Sequence, residues 1–417
     1  MDKTYVLLRR LAGMALLPLA VVAAALVACV GFFGVSSFTD SLALVSCASL
    51  LLAFGLGSAL AWKAFHLAGA PSPHEWGARI GFGVTAAIAL LAALHLFRPL
   101  DVPAKHSAPR ADTRYWSLAT GSRIAYTHFP GTGMRRGETI VFLHGGPGAP
   151  LRDTEYAFFE RFAGQGYDVY LYEQVGTGKS APPADLLDYS VRRNVDDLEA
   201  IRRQIGAERL ILVGQSWGAA LAANYLAAYP DRVARLILPS PGPMMNTAAV
   251  KPDGRMTAAV RPIEAPLRVQ MAQWLAEINP RIAASFAPPE EMNNYANSVA
   301  PQVLRLSYCA EAAASVPELD GAGFNFYANR LTQYDQNARP DLRPALMASA
   351  VPTLVMKGEC DYVPWFVAWD YARSLPNSRM VLLRRTGHLL WAGQPEQSFH
   401  VMLAFLQDRP VPAEHVL

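Results

Sequence analysis

Hydrophobic and polar positions split the 417-residue chain into two unlike parts. No side chain is charged between Arg10 and Asp40, a second uncharged run covers residues 42–62, and a third covers 80–97 and contains His95. A helix crosses a bilayer with about 20 apolar residues. The pattern therefore predicts three transmembrane helices, at about 11–33, 42–62 and 80–97, with Arg98 as an interfacial anchor. A cleaved signal peptide is the alternative for the first run. That run is longer than a usual signal core, and two more spans follow it. Lys3, Arg9 and Arg10 precede the first span, the link near Asp40 has no Lys or Arg, and Lys63 and Arg79 flank the second link. The positive-inside rule then places the N-terminus in the cytoplasm and everything after residue 98 outside. The expectation is a multi-pass protein of the cell (inner) membrane that touches lipid through residues 11–97.

Residues 99–112, PLDVPAKHSAPRAD, are rich in proline and polar groups and read as a linker. From residue 113 onward short apolar runs alternate with amphipathic stretches. Residues 115–118 and 123–126 around Thr120-Gly121 predict a hairpin, and 139–143, 168–172, 210–213 and 233–238 predict buried strands. Helical patterns fall at 192–205 and from the strand at 210 to Tyr229. This alternation predicts a mostly parallel sheet with helices on both faces. From 242 to 344 it stops. A hundred residues are too many for a bare loop, so the segment reads as a helical cap over the site, with 267–278 as one of its helices. Strand patterns return at 352–357 and 379–383, and 396–407 closes the chain as a helix. The catalytic domain thus covers 113–417, and the fold class is α/β preceded by three transmembrane helices.

Composition adds exclusions. A net charge of +3, with near balance after residue 101, leaves no electrostatic footprint for nucleic acid. The run ending Gly178-Lys179-Ser180 imitates a phosphate-binding loop, but Glu173 stands where that loop needs glycine. No pair of histidines has metal-ligand spacing with a carboxylate or cysteine nearby. No cofactor and no metal are expected, and His128 and His144 read as structural. Cys29 and Cys47 lie in spans; Cys309 and Cys360 would face an oxidising compartment, but spacing does not show whether they meet.

The chemistry centres on Gly214-Gln215-Ser216-Trp217-Gly218, a G-x-S-x-G sequence between a buried strand and a helix. In that setting the serine sits on a strained turn at a helix N-terminus, where backbone N–H groups favour developing negative charge. A second glycine-rich loop, His144 to Gly148, also follows a strand and suits an oxyanion hole. Asp361 and His388 follow later strands, so Ser216, Asp361 and His388 stand in the chain order of a nucleophile, acid and base triad. Glu359 is the alternative acid, but it lies nearer the strand.

These motifs resemble the proline iminopeptidase branch of the α/β hydrolases over roughly residues 113–410. The carriers are HGGPG at 144–148, GQSWG at 214–218, GECDYVP at 358–364 and GH at 387–388. The resemblance implies an α/β-hydrolase fold, oxyanion donors at the Gly146 and Trp217 backbone N–H groups, and a covalent acyl-enzyme. The expected substrates are small peptides or aminoacyl amides. EQVGTGKS at 173–180 departs from the family's DQRGxGxS, with Glu173 for Asp and Val175 for Arg. Of the acidic residues that hold a substrate's amino terminus in that family, Glu277 near Trp274 is the best-placed counterpart, and Thr332 stands where another glutamate would be. Glu290, Glu291 and Glu311 are further acids of the insertion. A carboxylesterase or lipase acting on small acyl esters is the alternative, and a non-catalytic sensor on the same fold is a third reading.

Overall fold

Long uncharged runs have nothing to gain from loop structure, because every backbone polar group in hydrocarbon must be paired within the segment. In a computed structural model they form α1 (Lys3–Ser36), α2 (Leu42–Ala68) and α3 (Pro73–His95). The structure describes residues 3–105, 108–134, 136–244, 265–309 and 322–411. All three helices are long and apolar enough to cross a membrane. The helices outrun the uncharged stretches because backbone bonding, unlike hydropathy, does not stop at a charge. Thus α3 begins at Pro73, a residue suited to a first turn, and Arg79 pairs with Glu75 one turn away at 3.5 Å. Their shared faces are built from small residues. In α2 the buried positions are Val45, Ser49, Ala53, Gly57, Ala61 and Ala64, close to every fourth residue, which lets neighbouring backbones approach.

The second part builds a sheet. Its elements in chain order are β1 (Arg114–Ser117), β2 (Arg123–Phe129), β3 (Thr139–Leu143), α4 (Asp153–Ala163), β4 (Asp168–Tyr172), α5 (Val191–Ile205), β5 (Leu210–Gly214), α6 (Trp217–Ala228) and β6 (Val233–Pro239). The insertion supplies α7 (Leu267–Ile278), α8 (Pro280–Phe286), α9 (Pro289–Arg305), α10 (Phe326–Ala338) and α11 (Arg343–Met347). The chain then returns through β7 (Thr353–Gly358), α12 (Trp365–Ser374), β8 (Ser378–Leu383), α13 (Leu390–Gly393) and α14 (Pro395–Leu406). The eight strands lie in the order β1-β2-β4-β3-β5-β6-β7-β8. Strand β2 runs antiparallel to β1 and β4, and the pairs from β4 onward are parallel.

Strands buried on both faces need no alternation, and β5 is buried at every position. Ile211 and Val213 join a core with α4, α13 and α14 in which Phe142, Phe158, Phe159 and Trp391 pack ring against ring. Leu210 and Leu212, equally buried, point to the other face by strand alternation. The helices α5 and α6 pack together, with Leu198, Ile201 and Leu221 buried and the Tyr225 hydroxyl donating to Glu199 at 2.8 Å.

By compactness the chain forms two units. Residues up to Asp101 with Ala265–Pro288 make the first, and Val102–Glu264 with Pro289–Leu417 make the second. The insertion read from sequence as one cap over 242–344 is thus divided: α7 and α8 belong with the three long apolar helices, while α9 to α11 belong with the sheet.

Cys309 and Cys360, in the second unit, form a disulfide with Cα atoms 5.2 Å apart, settling what spacing left open. It closes 51 residues of sequence, which in the chain-entropy account stabilises the fold by at most about 4 kcal/mol. The pair of changes Cys309→Ser and Cys360→Ser in the full-length protein should lower the thermal unfolding midpoint by several degrees; an unchanged midpoint would mean the bond does not form.

Candidate active site

Strand β5 ends at Gly214 and α6 begins at Trp217, leaving only Gln215 and Ser216 to reverse the chain. Ser216 takes φ 54° and ψ −121°, a conformation that costs a non-glycine residue on the order of 1–3 kcal/mol. Neighbours hold it there: the Ser216 N–H donates to the Ser240 carbonyl at 3.1 Å, and its carbonyl accepts from the Gly242 N–H at 2.9 Å. The flanking glycines are required sterically. A side chain on Gly214 would strike the Gly218 carbonyl, and one on Gly218 would strike the Leu143 carbonyl at the end of β3.

The loop after β3 is fixed from its buried histidine. The His144 Nε2 accepts from the Gln174 N–H at 2.9 Å, so the proton sits on Nδ1, which donates to the Gly145 carbonyl at 2.9 Å. Burial pushes His144 down to about 4, and it is neutral near pH 7. Gln174 then joins both loops: its Nε2 donates to the His144 carbonyl at 2.9 Å and its Oε1 accepts from the Trp217 indole at 2.8 Å. Gly146 has φ 121°, open only to glycine. Among the described residues, neither the Gly146 nor the Trp217 backbone N–H donates to a protein acceptor. A side chain on Gly145 would come within 3.1 Å of the Ser216 Cβ, so the loop lies directly beside the serine.

Glu173 is buried and takes up backbone N–H groups, from Leu151 at 3.2 Å and Lys179 at 2.5 Å. Its burial raises its pKa, against those bonds. The N-terminal end of α10 clamps the same loops. The Asn325 N–H donates to the Gly148 carbonyl at 2.8 Å, its Nδ2 to the Gly176 carbonyl at 2.8 Å, and the Asn329 Nδ2 to the Pro147 carbonyl at 2.6 Å.

Asp361 and His388 meet at the ends of β7 and β8. The His388 Nδ1 lies 2.7 Å from the Asp361 Oδ1, which also accepts from the Val363 N–H at 3.0 Å. The second carboxylate oxygen is 2.6 Å from the Nζ of Lys357, a wholly buried lysine that donates as well to the Val363 carbonyl at 2.5 Å. Sequence reading placed Lys357 at the end of a strand and gave it no role; a basic residue four positions before the acid was the available signal. Burial alone would raise the Asp361 pKa, but His388 and Lys357 outweigh it and hold the carboxyl down to about 2. Burial lowers the Lys357 pKa, with Asp361 opposing. The Tyr362 ring packs 4.4 Å from the His388 ring. The His388 Nε2 is buried and has no hydrogen-bond partner among the described residues. With Nδ1 turned to an ionised carboxylate, Nε2 is the nitrogen free to take a proton. The Gln215 Nε2, one residue before the elbow, reaches the His388 carbonyl at 3.5 Å.

Glu359, the other candidate acid, instead accepts from the Arg385 N–H at 2.8 Å on an exposed edge. Glu277 lies on an exposed position of α7 in the first unit, whereas Ser216, Asp361 and His388 all lie in the second. Glu290 and Glu291 occupy the first turn of α9, Thr332 is buried on α10, and Glu311 lies outside the described residues.

Residues 138–391 match the family model described as the alpha/beta hydrolase fold. The chain belongs to this family. Among its relatives, the hydrolase is 26% identical over 299 residues to the proline iminopeptidase of Saccharolobus solfataricus, covering 69% of this chain and 90% of that protein. It is 27% identical over 256 residues to the proline iminopeptidase of Lactobacillus delbrueckii subsp. bulgaricus, covering 60% and 83%. Among solved structures it is similar to a thermophilic esterase from Thermogutta terrifontis, with a TM-score of 0.51 and 20% identity over 72% of this chain and 99% of that one. A bromoperoxidase from Bacillus anthracis gives 0.51 and 21% over 71% and 100%. At these identities the solved structures show the fold. The relatives by sequence are hydrolases, and the chain is a serine hydrolase.

The Lys357 contact has a consequence for acid stability. Folded Asp361 titrates at about 2, against about 3.9 in an unfolded chain, so its carboxylate stabilises the fold above about pH 4 and that contribution fades as pH falls toward 2. Lys357→Met leaves the carboxylate buried without its ammonium, which raises its pKa and costs roughly 3–5 kcal/mol near neutral pH. Acid unfolding of the variant, followed by tryptophan fluorescence, should therefore move to higher pH; an unshifted curve would mean that Lys357 does not support the carboxylate.

Proposed function

We propose that the hydrolase is a membrane-anchored enzyme that works through Ser216, His388 and Asp361 and a covalent acyl-enzyme, as a proline iminopeptidase-like aminopeptidase. The observation that supports this most is His388 itself, with Nδ1 held by a buried carboxylate, Nε2 unpartnered among the described residues, and its carbonyl reached by Gln215, the residue before the strained Ser216. Ser216 Oγ attacks the substrate carbonyl while His388 Nε2 takes its proton and returns it to the leaving amine. Asp361 orients the imidazole and stabilises its charged form. The Gly146 and Trp217 N–H groups receive the oxyanion, the second with the positive end of α6 behind it. A water then repeats the sequence on the acyl-enzyme and releases the acid.

The substrate class rests on the two relatives named above, both called proline iminopeptidases. An ester substrate is the second reading, favoured by one observation: Thr332 occupies the position where the resemblance places a glutamate, and it is buried. A desolvated ammonium without a carboxylate partner costs several kcal/mol, so amine-blocked substrates separate the two. An aminopeptidase cleaves free N-terminal prolyl amides and rejects the same amides once acylated. An esterase treats both alike and prefers short acyl esters.

Ser216→Ala in the full-length protein should remove hydrolysis by about a million-fold and abolish labelling by a fluorophosphonate while leaving the fold intact. Activity within tenfold of the parent would sink the assignment. Asp361→Asn should damage turnover far more than Glu359→Gln; the reverse ranking would move the acid to Glu359.

We place the N-terminus in the cytoplasm and the catalytic domain outside the membrane, a reading supported by the charge asymmetry around the spans and by the Cys309–Cys360 disulfide, a bond favoured in oxidising compartments. An enzyme reporter that works only in the periplasm should be active when fused after Leu417. Activity of a cytoplasm-only reporter at the same place would mean that a span has been miscounted.

A further inference from the structure

The first unit contains two helices that do not cross any membrane by length. Within it, α7 and α8 are bonded to the ends of the long helices. The Asn279 Nδ2, between α7 and α8, donates to the Ser36 carbonyl at 3.0 Å, one of the open carbonyls at the end of α1, and lies 2.9 Å from Asp40 Oδ1. Arg281 pairs with Asp40 at 3.2 Å. Arg268 donates to the Leu96 carbonyl just past α3 at 2.7 Å. Aromatic rings gather at the same level: Phe286 sits 6.5 Å from Phe32 and 5.3 Å from Phe97, and Trp274 sits 6.2 Å from Phe33. Three alternating crossings bring the ends of α1 and α3 to one face of a bilayer, so these contacts fix α7 at the depth where spans end and aromatic belts lie.

The surface of α7 is divided lengthwise. At about 100° per residue, its buried side is centred on Arg268, Ala272 and Leu275. The exposed apolar residues Leu267, Trp274 and Ile278, at 52%, 48% and 41% exposure, fall in an arc of about 40°. Gln270, Gln273 and Glu277 make a polar strip about 90° from that arc. A helix free in water has no use for a separate apolar strip beside a polar one. A helix lying along a lipid–water boundary needs both.

Resting on the membrane reading above, we propose that α7 is an interfacial helix, with Leu267, Trp274 and Ile278 seated in the lipid at the face where α1 and α3 end and its glutamine and glutamate strip in water. The occupant of the strip is the bilayer, because the chain's own spans hold the helix at that level. The hydrolase insertion is thereby a second point of membrane attachment besides the linker after α3.

The test uses the full-length protein carrying Cys29→Ala and Cys47→Ala, in phosphatidylcholine vesicles doped with lipids nitroxide-labelled at a shallow or a deep acyl position. Single changes Trp274→Cys, Ile278→Cys, Gln273→Cys and Leu51→Cys each carry an environment-sensitive fluorophore. Leu51, exposed in the middle of α2, reports whether the helices span at all. The expected result is that probes at 274 and 278 lose most of their emission to the shallow nitroxide and less to the deep one, that 273 keeps a solvent-like spectrum, and that 51 is quenched by the deep nitroxide. Quenching at 51 with solvent-like spectra at 274 and 278 would overturn the interfacial helix while leaving the spans standing. Blue-shifted probes at 274 and 278 that lipid does not quench, and that relax on dilution, would assign the strip to a second copy of the chain and overturn it equally. No quenching at 51 would remove the membrane reading and this inference together.

Discussion

The structure depends on a two-residue reversal between a buried strand and a buried helix. With only Gln215 and Ser216 to turn the chain, the backbone at Ser216 is driven to a positive φ that isolated serine avoids. The surrounding sheet makes this tolerable: β6 continues past its end to bond Ser216 on both sides, and two missing side chains let α6 close against β3. The loop after β3 lies directly beside this point, and the His388 carbonyl is reached from its neighbour Gln215.

A second constraint is electrical. The end of the sheet buries a carboxylate with an imidazole and a lysine ammonium each within hydrogen-bonding reach of it. A buried charge is tolerable only when its lone pairs and protons are used. Asp361 uses one oxygen on His388 and Val363 and the other on Lys357, and Lys357 spends a further proton on the Val363 carbonyl. Such a set holds its geometry because any member that swings away leaves another unpaired. The neighbouring Gln174, His144 and Trp217 chain fixes the opposite loop in the same manner, with neutral groups.

Much of this was legible in sequence because it is written in local patterns. Unalternating runs such as 210–213 mark strands covered on both faces, and the elbow's glycines mark a close backbone approach; both appear where expected. The 267–278 helix was found to the residue, yet its place was not. The 3.6-residue period says that one face is buried and is silent on whether a sheet or another helix buries it. Lys357 draws no reading from the sequence for a similar reason, since a lysine at a strand end ordinarily reaches solvent and only the fold shows it enclosed. The disulfide joins residues 51 apart, a proximity that no spacing rule encodes.

The divided insertion changes what kind of object the enzyme is. The chain passes between the two units after Asp101, before Ala265 and after Pro288, three passages where a protein hung from a simple anchor would have one. In the first unit, Phe286 is buried with Phe32 and Phe97 as its ring neighbours. A protein shortened to begin near residue 105 therefore keeps α7 and α8 but loses the surface they were folded on, baring a greasy, half-assembled bundle. Residues that complete the packing of the first unit are thus written inside the stretch of chain that builds the hydrolase.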